Sequence, residues 1–127
     1  IIADTEGNVT YVNDVANPSM EGLKKFNVHI WTKQFKIQTR AGKPIASNQL
    51  PTIKTLKTKK KYSCELIMFN KRKEKKYLNV TSIPLYDNLN KLSGVMTIYK
   101  DLTKLIEAET ELKNANIDRQ LLYTVME

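Results

Sequence analysis

Three runs in the second half of the chain are candidates for strands, and in the second of them Leu78 and Val80 alternate with polar residues. The runs span residues 62–69, 75–84 and 92–100. Successive side chains of a strand point to opposite faces, so an alternating run offers one face to a core and the other to solvent. The segments between the runs, residues 70–74 and 87–90, are charged or rich in Asp and Asn, which favour turns. The pattern therefore predicts three antiparallel strands joined by hairpins.

A shorter pattern of the same kind opens the chain. Residues 1–3 and 9–12 are mainly apolar, and the turn residues between them include Gly7, which can adopt positive φ at little cost. These segments predict a hairpin of two strands. Residues 13–14 then offer a helix cap, and residues 19–23 indicate a short helical turn that ends at a glycine.

The middle of the chain favours helices. Trp31 and Phe35 are four residues apart, and residues 41–44 predict a turn. Ser47 or Asn48 is expected to cap a helix that has proline in its first turn. Three apolar residues at intervals of three give this helix a face to bury: Leu50, Ile53 and Leu56. Two strands, a helical middle and three antiparallel strands predict an α+β fold.

The end of the chain follows a heptad pattern. Its seam positions alternate at intervals of three and four residues, which is typical of a coiled coil: Leu105, Ala108, Leu112, Ala115, Arg119, Leu122 and Met126. Arg119 is expected to cost stability while helping to fix the register. We predict an amphipathic helix over residues 104–127 that pairs in parallel with a second copy. The alternative is a helix folded back on its own sheet.

Length and composition fit one domain with an appended helix. The chain has 127 residues, 41% of them hydrophobic, and contains no apolar run of about 20 residues that could cross a bilayer. Its one cysteine cannot form an internal disulfide and fits a reducing compartment, so we expect a cytoplasmic location. The chain starts without methionine and ends inside a helical pattern, so we expect it to belong to a longer protein.

Charge is distributed unevenly. The net charge is +8, and residues 1–101 carry 18 Lys and Arg against 8 Asp and Glu, whereas residues 102–127 carry 3 against 5. A basic body can meet nucleic acid or an anionic surface. The alternative, a solvated lysine-rich surface, is favoured because aromatic residues are not interleaved with the lysines.

Candidate catalytic chemistry is sparse. The four glycines are scattered along the chain, which argues against a phosphate-binding loop. His29 is the only histidine, and no Ser/His/Asp triad, zinc pair or carboxylate pair emerges. We therefore predict that the fragment is not itself an enzyme and holds no metal.

Four segments occur in a characteristic order. Residues 4–13 read Asp-Thr-Glu-Gly-Asn-Val-Thr-Tyr-Val-Asn, and residues 42–56 contain Gly-Lys-Pro and then a Leu-Pro helix start. Residues 84–87 read Pro-Leu-Tyr-Asp, with Gly-Val-Met at 94–96, and residues 101–103 read Asp-Leu-Thr. Together they resemble the PAS family of sensor domains: its opening hairpin, the variant with a Gly-x-Pro and Leu-Pro middle, its penultimate turn and last strand, and its closing Asp-Ile-Thr signature.

The resemblance implies a five-stranded antiparallel sheet in the spatial order 2-1-5-4-3, with short helices across one face. It covers residues 1–103, expected to form the sensor domain, and leaves residues 104–127 as the signalling helix. The family's usual Asp-Gly turn between the third and fourth strands is replaced by Asn-Lys-Arg-Lys-Glu at residues 70–74. This hairpin tip is therefore strongly basic.

The resemblance also implies a small-ligand pocket between helices and sheet. The residues expected to line it are Trp31, Phe35, Leu56, Leu66, Met68, Leu78, Val80, Met96 and Ile98. The alternative is that they simply fill the core. Some family members carry haem or flavin, but His29 lies outside any clear helix, and Cys64 sits in a strand rather than in the Asn-Cys-Arg context of flavin-binding members. No cofactor is predicted.

These features predict a signal-sensing and dimerisation module of a larger protein, with a sensor histidine kinase or a diguanylate cyclase as its output. Asp101 and Thr103 are expected to relay the state of the sheet to the helix, Thr103 as the helix N-cap. One alternative is a nucleic-acid-binding module that uses Lys57, residues 59–61 and residues 71–76, with steep salt dependence. The other is a dimerisation spacer without a ligand.

Overall fold

The structure, a computed structural model, describes residues 1–13, 27–70 and 72–126, without the side chains of residues 118 and 120–126. The helix expected after residues 13–14 and the turn expected at 19–23 lie outside this description. Within it are six strands and three α-helices: β1 (Ile2–Asp4), β2 (Val9–Tyr11), α1 (Trp31–Gln34), β3 (Gln38–Thr39), α2 (Pro51–Thr58), β4 (Tyr62–Phe69), β5 (Lys75–Tyr86), β6 (Leu92–Asp101) and α3 (Thr103–Met126). Short 3₁₀ turns at Val28–Ile30 and Ser47–Gln49 precede α1 and α2.

The strands form one antiparallel sheet in the order β2-β1-β6-β5-β4-β3. The prediction of five strands was wrong by one, because the two-residue β3 adds an edge beside β4 through the pairs Gln38–Ile67 and Thr39–Leu66. Two residues are too few to show an alternating pattern. The other five strands are the predicted ones and keep their predicted neighbours, so the α+β class and the sheet core are confirmed.

A single Asp or Asn side chain closes each hairpin, by accepting hydrogen bonds from two backbone N–H groups. Asp4 does so for residues 6 and 8, Asn70 for residues 72 and 74, and Asp87 for residues 89 and 91. Such side chains favour turns because they replace missing backbone partners. The turn at residues 87–90 therefore forms for the expected reason, whereas the roles of Asp4 and Asn70 were not predicted.

Helix α2 begins one turn later than predicted. Leu50 occupies the N-cap position without a side-chain hydrogen bond, and Pro51 is the first helical residue. Ser47 and Asn48 belong instead to the preceding 3₁₀ turn, where the Ser47 hydroxyl donates to the carbonyl of His29. The fixed φ of proline starts the helix without a polar cap.

The core lies between these helices and one face of the sheet. It contains Ala3, Val28, Trp31, Phe35, Ile37, Leu50, Ile53, Leu66, Met68, Leu78, Val80 and Val95. Helix α2 packs across β4, β5 and β6. The helix that covers the core therefore lies on the strand that leads into α3.

Candidate functional site

Strand β6 passes directly into α3 through Asp101, Leu102 and Thr103, here called the joint. The Thr103 hydroxyl donates to Oδ1 of Asp101 at 2.6 Å, and the Thr103 N–H donates to the same oxygen at 2.9 Å. Thr103 is only 8% exposed whereas Asp101 is exposed, so this contact is partly buried. The two residues proposed as a relay are thus bonded to each other.

The joint is also fixed to the start of β5. The backbone N–H of Tyr77 donates to Oγ1 of Thr103 at 3.0 Å, and the Leu102 N–H donates to the carbonyl of Tyr77 at 2.8 Å. Both backbone groups of one β5 residue therefore hold the first turn of the helix. Sequence reasoning missed Tyr77, because its partners lie more than twenty residues further along the chain.

The prediction that Thr103 is the N-cap was wrong. Thr103 is the first residue of α3, and the capping contact comes from the Asp101 carboxylate, which accepts from a backbone N–H as a cap does. The hydroxyl of Thr103 bridges Asp101 and Tyr77 instead. Thr103 thus links three segments: the end of β6, the start of β5 and the helix.

Helix α3 leaves the sheet after its first turn. Residues 107–117 are all exposed, and the seam residues Leu105 and Leu112 are 57% and 65% exposed. Over the described side chains, α3 does not fold back on its own sheet, and Ala108 and Ala115 are also exposed. Leu122 and Met126 lie among residues whose side chains are not described. The predicted seam therefore presents an apolar stripe to solvent.

Most of the predicted pocket residues come together. Trp31, Phe35, Leu66, Met68, Leu78 and Val80 share the core, and Leu56 packs against it. Met96 and Ile98 do not join them, because they alternate with the buried Val95 and Thr97 and lie on the opposite face of β6. Ile98 is 49% exposed. Because β6 carries apolar residues on both faces, the sequence did not indicate which face meets the helices.

The cavity between α2 and the sheet is small. Its volume is about 10 Å³, the space of one water molecule. It is lined by Trp31, Ile37, Leu50, Pro51, Thr52, Leu66, Met68, Leu78, Val80 and Tyr99. In this conformation the predicted pocket residues pack against one another. A larger ligand needs α2 to move away from the sheet.

A cluster of buried hydroxyls lies beside this cavity, and sequence reasoning did not find it. Thr52 on α2 contacts Ser82 at 3.2 Å and Thr97 at 2.9 Å, and Ser82 and Thr97 are 3.1 Å apart. All three are at most 2% exposed. The Tyr99 hydroxyl is hydrogen-bonded to Thr52, and burial raises the pKa of Tyr99 above its ordinary value, so the phenol stays neutral. The feature of the sequence that could have indicated this cluster is the presence of polar residues at core positions of β5 and β6.

The residues weighed as cofactor ligands lie apart. His29 is exposed in the first 3₁₀ turn. Cys64 is partly buried on the helix-facing side of β4, opposite Val80, and burial raises the pKa of its thiol. Among the residues that the structure describes, no group of three or more His, Cys, Asp or Glu side chains is arranged to hold a metal ion.

The two basic runs weighed for nucleic acid are separated. Lys57 and residues 59–61 lie at the end of α2, before β4 begins, whereas residues 72–76 lie after β4 ends. β4 has 8 residues, which at about 3.3 Å each places the runs roughly 26 Å apart. They therefore form two surfaces rather than one. No helix in the described part of the chain is long and apolar enough to span a membrane.

Comparison with solved structures shows a PAS-like fold. A PAS domain of a protein from Colwellia psychrerythraea aligns over 82% of this chain and 85% of its own, with a TM-score of 0.50 and 15% identity. Vibrio cholerae VqmA, a LuxR-type receptor solved as a dimer in the absence of target DNA, aligns over 82% of this chain and 45% of its own, with a TM-score of 0.50 and 14% identity. No family model and no curated protein matches the sequence.

Proposed function

We propose that this chain is the signal-sensing and dimerisation module of a larger signal-transduction protein. Two copies pair in parallel through α3, and the joint transmits the state of the sheet to the paired helices. A sensor histidine kinase of a two-component system is the preferred output, and a diguanylate cyclase is the alternative. The PAS-like fold supports a sensing role.

The observation that carries this proposal is the attachment of the joint to Tyr77. A helix that merely followed the sheet would need no lateral bonds, whereas α3 begins with two hydrogen bonds to the backbone of β5 and a partly buried Thr103–Asp101 contact. A shift of β5 relative to β6 therefore changes the contacts that set the direction of α3. Coupling between distant sites requires an element with two arrangements, and we propose that the joint is that element.

The exposed seam of α3 supports pairing with a second copy. Apolar residues at heptad positions are buried when two helices supercoil, and a parallel pair also places Lys104 against Glu109 of the other helix. Disulfide trapping tests this geometry in a Cys64→Ser background. Leu105→Cys should cross-link under oxidation, because equivalent seam positions lie within disulfide reach. Glu107→Cys, two residues away and off the seam, is the matched control. Equal cross-linking at both positions, or none at Leu105→Cys, contradicts the parallel pair.

A ligand acts in this scheme by separating α2 from the sheet. The existing cavity is only about 10 Å³, so a bound small molecule must displace α2 and meet the hydroxyls of Thr52, Ser82 and Thr97. It can shift the equilibrium only by its difference in affinity for the two packings. Native mass spectrometry of the protein purified from its host tests this step, with a bound small molecule as the expected result.

The second candidate is a dimerisation spacer without a ligand. The observation that favours it is the small cavity, with its hydroxyls already bonded to one another. If the chain is a spacer, native mass spectrometry should find ligand-free dimers under every growth condition. Substitution of the hydroxyls of Thr52, Ser82 and Thr97 should then leave the signalling output of the full-length protein unchanged. A sensor predicts altered output for that substitution.

A further inference from the structure

Among the described residues, the tip of the β4–β5 hairpin carries cations without acidic partners. We call this surface the basic tip and define it as Arg72, Lys73, Lys75 and Lys76. Glu74, the acidic residue beside them, is held by the side chain of Asn70. Among described residues, the ion pair within 4 Å joins Arg40 to Glu65, so none of the basic tip is neutralised there. The Lys75 ammonium instead lies over the Tyr77 ring, 5.1 Å from its centre.

The basic tip lies beside the start of α3. Lys75 and Lys76 immediately precede Tyr77, the residue whose N–H and carbonyl both bond to the joint. Strand β6 runs toward this end of the sheet, since its last residue, Asp101, pairs with Leu78. The helix therefore emerges next to the basic tip.

An acidic surface lies on the second and third turns of α3. Glu107 and Glu111 are exposed and four residues apart, so they share one side of the helix. We call this pair the acidic face. At about 1.5 Å rise per residue, it lies roughly 6 to 12 Å along the axis from Thr103. In the predicted heptad Glu111 flanks the seam and Glu107 is its outer neighbour, so neither takes part in the predicted Lys104–Glu109 pair.

We propose that the basic tip of each protomer docks on the acidic face of the second copy. In a parallel pair the helices are in register with axes about 8 to 10 Å apart, so the acidic face of one copy lies beside the second and third turns of the other helix, roughly 6 to 12 Å past its joint. The opposite charges of the two surfaces match. This inference rests on the proposed pairing through α3, and it makes the coupling between sheet and helix act across the dimer.

The docking ties the hairpin to the joint from two sides. Within one chain, Tyr77 is bonded to Leu102 and Thr103. Across the dimer, the adjacent lysines hold the other helix by charge. A shift of the hairpin therefore moves both helices together. Because the contact is exposed, salt should weaken it on the scale of a Debye length of about 8 Å at physiological ionic strength.

Charge exchange tests the inference with the whole chain. Lys75→Glu/Lys76→Glu should weaken dimerisation about tenfold at low ionic strength, because the two-fold symmetry removes four exposed pairs of ordinary surface strength. The difference should vanish in high salt. Adding Glu107→Lys/Glu111→Lys should restore the affinity. Sedimentation equilibrium at several salt concentrations measures the dimer constant, and circular dichroism checks the fold.

Lys60→Glu/Lys61→Glu is the matched control. It changes the charge equally at the far end of the hairpin and should not weaken the dimer. If net charge alone mattered, both double variants would strengthen dimerisation by lowering the repulsion between protomers of charge +8. An unchanged dimer constant for Lys75→Glu/Lys76→Glu overturns the docking and leaves the α3 pair standing. Weakening that the exchanged variant fails to restore also overturns it. A wild-type chain that stays monomeric overturns both proposals.

Discussion

Replacing Thr103 by valine tests the joint with almost no change in side-chain shape. The hydroxyl of Thr103 donates to Asp101 at 2.6 Å and accepts from the Tyr77 N–H at 3.0 Å. Valine removes both bonds, and because residue 103 is largely buried, the Tyr77 N–H loses its partner without gaining water. A hydrogen bond to a charged group contributes about 1.5–3 kcal/mol, and a buried donor without a partner costs about 1–3 kcal/mol. Since these effects overlap, we expect a loss of about 2–3 kcal/mol.

Urea unfolding gives the change in the free energy of unfolding, and amide hydrogen exchange shows where it occurs. The Tyr77 amide should exchange at least about tenfold faster in Thr103→Val, whereas the amide of Val80, deeper in β5, should follow global stability only. Thr103→Ser keeps the hydroxyl and should retain most of the protection. The reasoning is refuted if valine and serine cost the same stability, or if the Tyr77 amide stays protected in the valine variant.

Three further predictions concern the sheet and its hairpins. Thr97→Val should lower the free energy of unfolding in urea by about 1–3 kcal/mol, because the hydroxyls of Thr52 and Ser82 each lose one hydrogen-bond partner. Thr97→Ser should cost less than half as much. Equal costs for the two variants contradict a role for the hydroxyl. Gly94→Ala should cost about 2–4 kcal/mol of stability, because the added Cβ would lie 2.3 Å from the backbone oxygen of Ala3. Gly42→Ala should cost only about 1 kcal/mol of backbone strain, since residue 42 has φ +85 and its added Cβ would meet no atom within 4 Å. The reverse ranking of the two costs counts against the close approach of β1 and β6. Backbone hydrogen bonds from Asn8 and Glu6 lower the pKa of Asp4 below 3.8, so its carboxylate stabilises the fold above pH 3.8 and loses this effect as the pH falls through the lower folded-state pKa. Asp4→Asn should remove this contribution to the loss of stability in acid, as measured by thermal unfolding at several pH values. An unchanged dependence of stability on pH is the contrary result.

The strands were predictable because one side of each must meet the core. The largely apolar run at residues 62–69 predicted β4 with its observed bounds, and β5 and β6 were predicted within two residues of theirs. β3 was not predictable, since its two residues belong to the sheet only through pairing with β4. Alternation also fails where both faces are apolar, which is why Met96 and Ile98 were assigned to the wrong side of β6.

The candidate site was only partly predictable, because its contacts join distant parts of the chain. The passage from strand to helix at residues 101–103 follows from the local sequence. Its attachment to Tyr77 depends on how β5 pairs with β6, which local patterns do not state. The buried hydroxyls belong to threonine and serine, which are common on protein surfaces. Only the sheet register and the packing of α2 against the sheet bring together the hydroxyls of Thr52, Ser82 and Thr97.

In the proposed relay, the strength of the joint sets how large an input must be to move it. If a second state lacks the two hydrogen bonds to the backbone of Tyr77 and the Thr103–Asp101 contact, net values of about 1 kcal/mol for each of these three bonds place that state about 3 kcal/mol higher. A ligand that prefers the second state about 100-fold offsets roughly 2.7 kcal/mol, which makes the two states nearly equally populated. This lies within the usual range of coupling free energies between sites, about 1–3 kcal/mol. A much stronger joint would hold α3 rigidly, and a much weaker one would let it move without any signal. With net values of this size, the proposed relay could be switched by a small ligand with about 100-fold preference for one state.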